Sequence, residues 1–279
     1  MTDSSAKKWV IVDGILHDES EFYDVLNSRE AYAYEVIRVI DGKPLLVEEH
    51  VERFDRTLEG LGAENTLTSE SVREDIAKLF TANNVLNDNV KIIFLGGRMY
   101  MKLVGAEYPS ESEYRNGVKV GTLRAMRVNP QAKVSDSALR ELADRRIAES
   151  DVYEVLLLDR EGCVTEGSRS NVFFIKDGTV FTSPAEGVLL GITRQMIVKL
   201  CEDNGIPVVE KKISEESFGD YDAAFISGTS PKVLPIRCIT NEGETNAAGR
   251  SVMLSTGEPT LRRIMELYDR AVEENISKE

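Results

Sequence analysis

The sequence predicts an α+β protein of two domains, each a mostly antiparallel sheet with flanking helices. Three observations carry that expectation. Runs of β-branched and aromatic residues are broken by Asp-Gly pairs, Asp41-Gly42 and Asp177-Gly178, which suit two-residue hairpin turns. Amphipathic stretches with apolar residues at helical spacing lie among those runs. The 279 residues are enough for two domains of ordinary size or one large one.

Taken in order, WVIVDG and YEVIRVIDGKPLLV read as strands, the second turning back at Asp41-Gly42. In EEHVERFDRTLEGLG, Val51, Phe54, Leu58 and Leu61 recur at helical spacing, and Gly62 suits the helix stop. SESVREDIAKLFTANN predicts a second helix, with Ser69 or Ser71 as its cap and Val72, Ile76, Leu79 and Phe80 facing inward. VKIIFL reads as a buried strand. Residues 96–117, rich in Gly, Tyr and Ser, read as a long irregular loop, a kind of segment that often carries function.

A domain boundary is expected near residues 121–131. The reading is a small N-terminal α+β domain over 1–120, a linker over 121–131, and a large C-terminal domain over 132–279. In the latter, SDSALRELADRRIAES predicts a helix, EVLLLD a strand and VFFIKDGTVFT a second hairpin. GITRQMIVKLCEDNG predicts a helix capped by Thr193 and ended at Asn204-Gly205. IPVVE, AAFISG and VLPIRCI read as short buried strands, and PTLRRIMELYDRAVEE as a C-terminal helix.

The composition narrows the function. Hydrophobic residues make up 42% and charged residues 29%, the profile of a globular protein. A net charge of −14 repels polyanions, so nucleic acid is not an expected partner. Three dispersed cysteines and two histidines argue against a zinc site or a disulfide framework. No signal-like or membrane-spanning apolar run is present, so no membrane partner is expected and the location is read as cytoplasmic.

Three small, polar clusters adjoin apolar segments: Glu166-Gly167-Ser168, Gly191-Ile192-Thr193 and Gly228-Thr229-Ser230. A helix start with open N–H groups attracts anions, and a Gly-Thr-Ser turn adds further N–H groups and hydroxyls. Taken singly, each is also an ordinary helix start or turn.

Together with YEVIRV, EEHVERF, VLLGITR and FISGTSPKVLPI, in this order, they resemble the class IV aminotransferases, the fold-type IV pyridoxal-phosphate enzymes. That family includes branched-chain and D-amino acid aminotransferases and aminodeoxychorismate lyases. The resemblance runs from about Tyr34 to Ile236. It implies a pyridoxal 5′-phosphate cofactor, held mainly by the C-terminal domain, amino-acid and 2-oxo-acid substrates, and a homodimer.

The resemblance also implies roles. Lys133, 21 residues before Glu154, matches the lysine that takes the cofactor aldehyde. Neighbouring cations in a dry site would make such a lysine nucleophilic. Glu166 matches the carboxylate that faces the pyridine nitrogen. Arg53 matches the phosphate arginine, its planar fork suited to a dianion; the alternative is a surface ion pair with Glu49 or Glu52. The N–H groups of Ile192 and Thr193, and the hydroxyls of Thr193, Thr229 and Ser230, complete the phosphate cradle. His50 is expected to be structural. Tyr34, Arg38 and Arg98 are the substrate candidates, with Tyr100 and Lys102 beside Arg98.

The sequence departs from the family pattern in three places. Val-Ser-Asp-Ser-Ala follows Lys133 where an Asn-Tyr or Asn-Leu pair is common, and Arg127 is the candidate to compensate. SREAYAYE precedes the first motif without glycine. VKIIFL reads as apolar where branched-chain enzymes place a Tyr and an Arg. The expected activity is transamination from a branched-chain L-amino acid to 2-oxoglutarate. An aminodeoxychorismate lyase, a D-amino acid aminotransferase and a non-catalytic binder of the cofactor or a phosphate metabolite are the alternatives.

Overall fold

The computed structural model describes residues 8–105, 108–240 and 251–278. The chain forms two compact units: Met1–Glu107 with Ala132–Ser135 and Val272–Glu279, and Tyr108–Gln131 with Asp136–Ala271.

The first unit contains β1 (Trp9–Val12), β2 (Ile15–Asp18), α1 (Tyr23–Leu26), β3 (Ala33–Ile40), β4 (Lys43–Pro44), α2 (Val47–Gly60), α3 (Ser69–Asn83), β5 (Asp88–Leu95) and β6 (Arg98–Leu103). Its strands pair in the order β2-β1-β6-β5-β3-β4, every pair antiparallel. The Asp41-Gly42 turn has both residues at positive φ, 51° and 77°, which matches the twist of a tight hairpin.

Strand β3 divides its residues strictly between two faces. Ala33, Glu35, Ile37 and Val39 are buried, while Tyr34, Val36 and Arg38 are half-buried on the other side. Ala33, Ile37 and Val39 pack in one core with Phe54 and Leu58 of α2 and with Val72, Ile76 and Leu79 of α3. Leu61 falls outside the expected stripe: it is the residue that ends α2, and it is exposed. The α3 cap is Thr68, one position before Ser69 and three before Ser71, the two expected serines. Thr68 and Ser71 form a reciprocal capping box that satisfies two helix-start donors.

The second unit contains α4 (Glu111–Asn116), β7 (Val118–Arg124), α5 (Ser137–Ser150), β8 (Glu154–Leu158), β9 (Cys163–Gly167), β10 (Asn171–Lys176), β11 (Thr179–Thr182), α6 (Ile192–Asp203), β12 (Val208–Glu210), β13 (Ile213–Ser214), β14 (Ala223–Gly228), β15 (Lys232–Thr240) and β16 (Ser251–Met253). The last helix, α7 (Pro259–Lys278), begins in this unit, and its residues from Val272 belong to the first. The strand order is β12-β11-β10-β14-β15-β7-β8-β9-β13, with β16 on β15. The pairs of β7 with β15 and β8, and of β11 with β12, are parallel; the others are antiparallel. Phe173 and Phe225 stack at 4.8 Å across β10 and β14 in the sheet centre.

Two expectations about chain organisation change. The boundary at 120 and the linker over 121–131 would cut β7, which sits between β15 and β8. Its buried Val118 and Val120 belong to the second core, a long-range placement that local composition does not reveal. Nor are residues 96–117 an irregular loop. Gly96-Gly97 turns β5 into β6, and α4 closes the segment; Ala106 and Glu107 lie outside the described residues.

Candidate active site

Lys133 belongs to a short return of the chain, Ala132–Ser135, to the first unit. Val134 bridges Ala33, Tyr34 N donates to Lys133 O at 3.0 Å, and Ser135 N donates to Tyr32 O at 2.8 Å. Thr57 Oγ1 of α2 accepts from Lys133 N at 3.3 Å. This short pairing sets Lys133 beside the start of β3. Its Nζ lies 4.6 Å from the centre of the Tyr34 ring, within cation–π reach.

The opposite face of β3 carries a buried charge network. Arg53 presents Nε to Glu35 Oε1 at 2.7 Å and Nη2 to Oε2 at 2.6 Å. His50 Nδ1 lies 2.8 Å from the same Oε2. Burial alone would raise the Glu35 carboxyl, but the Arg53 charge and the hydrogen bonds from Arg53 and His50 hold it at about 2. An ionised carboxylate only accepts, so Nδ1 of His50 carries the proton. Burial pushes the His50 imidazole below its usual value; the Glu35 contacts oppose that, and the Arg53 and Lys133 charges add to it. Arg53 is therefore no surface residue paired with Glu49 or Glu52. Glu35, which sequence reading passed over, fixes the plane of its guanidinium.

The face that carries Tyr34 continues across the sheet. Tyr34 lies opposite Ile93, and Ile93 opposite Tyr100; Val36 lies opposite Lys91, and Lys91 opposite Lys102. VKIIFL is thus not wholly apolar on this side, because Lys91 stands one row from Tyr34. Its Nζ donates to Tyr32 Oη at 2.7 Å and lies 4.7 and 4.8 Å from the rings of Tyr32 and Tyr34. Arg38 lies on the same face one row further along. Arg98 is exposed at the start of β6, with Nε 2.8 Å from Asp13 Oδ2. Lys102 pairs with Glu19 at 2.8 Å.

In the second unit, Glu166 stands near the end of β9 and is buried. Its Oε1 accepts from Arg127 Nε at 3.0 Å, and Leu189 N lies 3.4 Å from Oε2. Arg127 Nη2 also donates to Ser168 O at 3.1 Å, which ties the carboxylate to the turn that follows it. That turn folds over a second buried carboxylate, Glu154. Ser168 Oγ and Ser170 Oγ donate to it at 3.2 and 2.9 Å, and Arg169 N also donates. Burial leads the shift of the Glu154 carboxyl, which is raised despite these donors. The approach demands glycine at 167: a Cβ there would meet Ser170 Oγ at 2.2 Å and Glu154 Oε1 at 2.8 Å.

Helix α6 starts at Ile192 with Gly191 at the cap position and no side-chain cap. Thr193 is the second helical residue, not the cap. Asn171 Oδ1 explains the choice, since it would meet a Cβ at Gly191 at 2.2 Å. Asn171 pairs with Ser227 across β10 and β14, and directly paired residues share a face. Ser227 Oγ is buried on that face with no hydrogen-bond partner among the described residues. Thr229 and Ser230 follow in the half-buried turn between β14 and β15. Sequence reading missed Ser227, because a serine inside an apolar strand carries no local signal.

The sequence profile of the family described as amino-transferase class IV matches residues 32–239. The chain belongs to the class IV aminotransferases. It is 32% identical over 225 residues to a D-alanine aminotransferase of Staphylococcus epidermidis, covering 75% of this chain and 79% of that one. In fold it resembles the branched-chain aminotransferase of Thermoproteus uzoniensis solved with norvaline, at a TM-score of 0.79 and 24% identity, over 98% of this chain and 96% of that one. It also resembles the T.th. branched-chain amino acid aminotransferase solved with pyridoxamine 5′-phosphate, at a TM-score of 0.77 and 23% identity, over 97% and 95%. Class IV aminotransferases depend on pyridoxal 5′-phosphate, and this is a fold-type IV enzyme. No described helix is long and apolar enough to cross a membrane.

The donor set of this aminotransferase suits that cofactor. It offers a lysine on an aromatic ring and a buried carboxylate tied to an arginine. It also offers an uncapped helix start on the same sheet face as a buried hydroxyl, Ser227 Oγ, that has no hydrogen-bond partner among the described residues, the chemistry a phosphate requires.

Proposed function

We propose that this class IV aminotransferase moves the amino group of a branched-chain L-amino acid to 2-oxoglutarate, with Lys133 and Glu166 as its catalytic residues. The observation that carries the substrate reading is the setting of Lys133. Its ammonium rests on Tyr34, in a cluster of Val10, Val12, Ile93 and Tyr100 with Phe22, Leu26, Tyr32 and Leu95. An apolar side chain suits such a face.

When bound, the cofactor supplies an aldehyde for the amino group and a ring that takes up the electron pair released at the α-carbon. The chain supplies the rest. Lys133 Nζ, as the neutral amine, would take the proton from the substrate α-carbon and, as the ammonium, give it back. Glu166, hydrogen-bonded to Arg127, is the carboxylate that would face the ring nitrogen. Arg53, oriented by Glu35, binds the phosphate with the N–H groups of Ile192 and Thr193 and the hydroxyls of Thr193, Ser227, Thr229 and Ser230. Tyr34 and Arg38 line the substrate side, and Arg98 stands at its edge. A homodimer is part of the proposal.

A second reading, transamination of D-alanine, is favoured by the Staphylococcus epidermidis relative. The visible absorption of the protein with added pyridoxal phosphate decides between them. A band that forms, is absent in Lys133→Ala and fades with L-leucine supports the proposal. Fading only with D-alanine supports the second reading, and a band deaf to both points to the lyase. No band in the wild-type protein sinks the mechanism.

A further inference from the structure

We infer that Glu154 is a positioning residue for the cofactor end of the site: it holds the Ser168–Ser170 turn, and through that turn the guanidinium of Arg127 that meets Glu166. The inference rests on the proposed role of Glu166. Glu154 opens β8, whose other residues, Val155, Leu156, Leu157 and Leu158, are apolar and buried. A carboxylate is costly in such a place unless donors serve it. Among the described residues it makes no ion pair. Its hydrogen bonds there come from three consecutive residues: Ser168 Oγ and Arg169 N to Oε1, and Ser170 Oγ to Oε2. Gly167 N donates to Ser170 O at 2.8 Å and Ser168 N to Val155 O at 2.9 Å, so the turn is closed on itself and pinned to β8. The bonding of this buried carboxylate therefore goes to a single turn.

Arg127 depends on that turn. It lies outside the helices and strands, between Met126 and Val128, which are both exposed, so its neighbours in the chain anchor it little. Its guanidinium makes two hydrogen bonds among the described residues, Nη2 to Ser168 O at 3.1 Å and Nε to Glu166 Oε1 at 3.0 Å. A planar guanidinium carries both donors in one rigid frame. A shift of the Ser168 carbonyl therefore swings Nε away from Glu166. Glu154 is hydrogen-bonded to neither Arg127 nor Glu166 and acts on them through the turn, as a supporting group does for the side chains in front of it. What the turn needs at this position is acceptors. In Glu154→Gln the amide oxygen can take the two bonds of Oε1, and the amide NH2 can donate to Ser170 Oγ, so the turn keeps its bonds. Glu154→Leu removes every acceptor.

Two readouts on the full chain test this. Without cofactor, the Nε–H nuclear magnetic resonance signal of Arg127, assigned by its loss in Arg127→Lys, reports the bond to Glu166 through its protection from exchange with water. Glu154→Leu should abolish that protection and Glu154→Gln should keep it. With pyridoxal phosphate, Glu154→Leu should weaken binding about tenfold in the wild-type background and less than about twofold in Arg127→Met, because the arginine carries the effect. Ser170→Ala, which removes one donor and leaves β8 intact, should follow the same pattern at about threefold, and it decides the matter if Glu154→Leu does not fold. Unchanged protection of Arg127, or equal losses of cofactor affinity in both backgrounds, would leave Glu154 a structural residue and overturn the inference. Lost protection with undiminished cofactor binding would keep Glu154 as the residue that places Arg127 and count against the role of Glu166 instead.

Discussion

Arg53 and Glu35 meet edge to edge, Nε to Oε1 at 2.7 Å and Nη2 to Oε2 at 2.6 Å, with Glu35 wholly shielded from solvent. Two parallel charge-assisted hydrogen bonds fix an arginine more firmly than a single contact does. The pairing makes Arg53, the arginine proposed for the phosphate, a built part of the first unit, and it gives the protein a defined response to acid.

Glu35 sits at about 2 in the fold against an ordinary 4.5. Its contribution is complete above about 4.5 and is lost as pH falls through about 2. The shift corresponds to about 3 kcal/mol. His50, lowered from 6.5, acts with the same sign, because the unfolded chain takes its proton first as pH drops. The gap in urea midpoint between the wild type and Glu35→Gln should therefore narrow as pH falls from about 4.5 towards 2. At neutral pH the variant should lose about 3–5 kcal/mol, because Arg53 is left buried with its charge unmatched. A gap independent of pH would place the acid sensitivity elsewhere.

Gly167→Ala puts a methyl group into Ser170 Oγ and the Glu154 carboxylate, both held in one hydrogen-bonded turn. The turn must open, at about 1–3 kcal/mol. Thermal denaturation should show a lower Tm, and the visible band with pyridoxal phosphate should weaken or shift as Glu166 moves. An unchanged Tm would mean that the Ser168–Ser170 turn yields freely.

Ser227→Ala should act with opposite signs on two quantities. A buried hydroxyl without a partner costs about 1–3 kcal/mol, so its removal should leave stability without cofactor unchanged or raised. If the hydroxyl meets the phosphate, affinity for pyridoxal phosphate should fall severalfold. Fluorescence titration and calorimetry read the two effects. A destabilised protein with full cofactor affinity would show that Ser227 has a structural bond instead.

Cys201 is buried on α6, and burial pushes its thiol up to about 12. With almost no thiolate at neutral pH, it should resist a disulfide reagent until the chain unfolds. Peptide mapping after brief labelling checks this; rapid native labelling of Cys201 would mean that α6 opens locally.

The sequence by itself determined the family, the element types and most of the residues proposed for the cofactor. Hairpin turns, helical periodicity and short motifs are local in the chain, so Asp41-Gly42, the inward face of α3 and the Glu166-Gly167-Ser168 run are readable without a fold. Only the tertiary structure decided that Glu35 holds Arg53, that β7 belongs to the second sheet, that Gly191 rather than Thr193 caps α6, and that Lys91 shares a ring with Lys133. Each of these depends on residues brought together from distant parts of the chain. Strand β3 lies against α2, β7 between β15 and β8, Asn171 beneath Gly191, and the start of β3 between β5 and the later return at Val134. Strand register decides which side chains share a face, and register is a long-range property that local spacing does not encode.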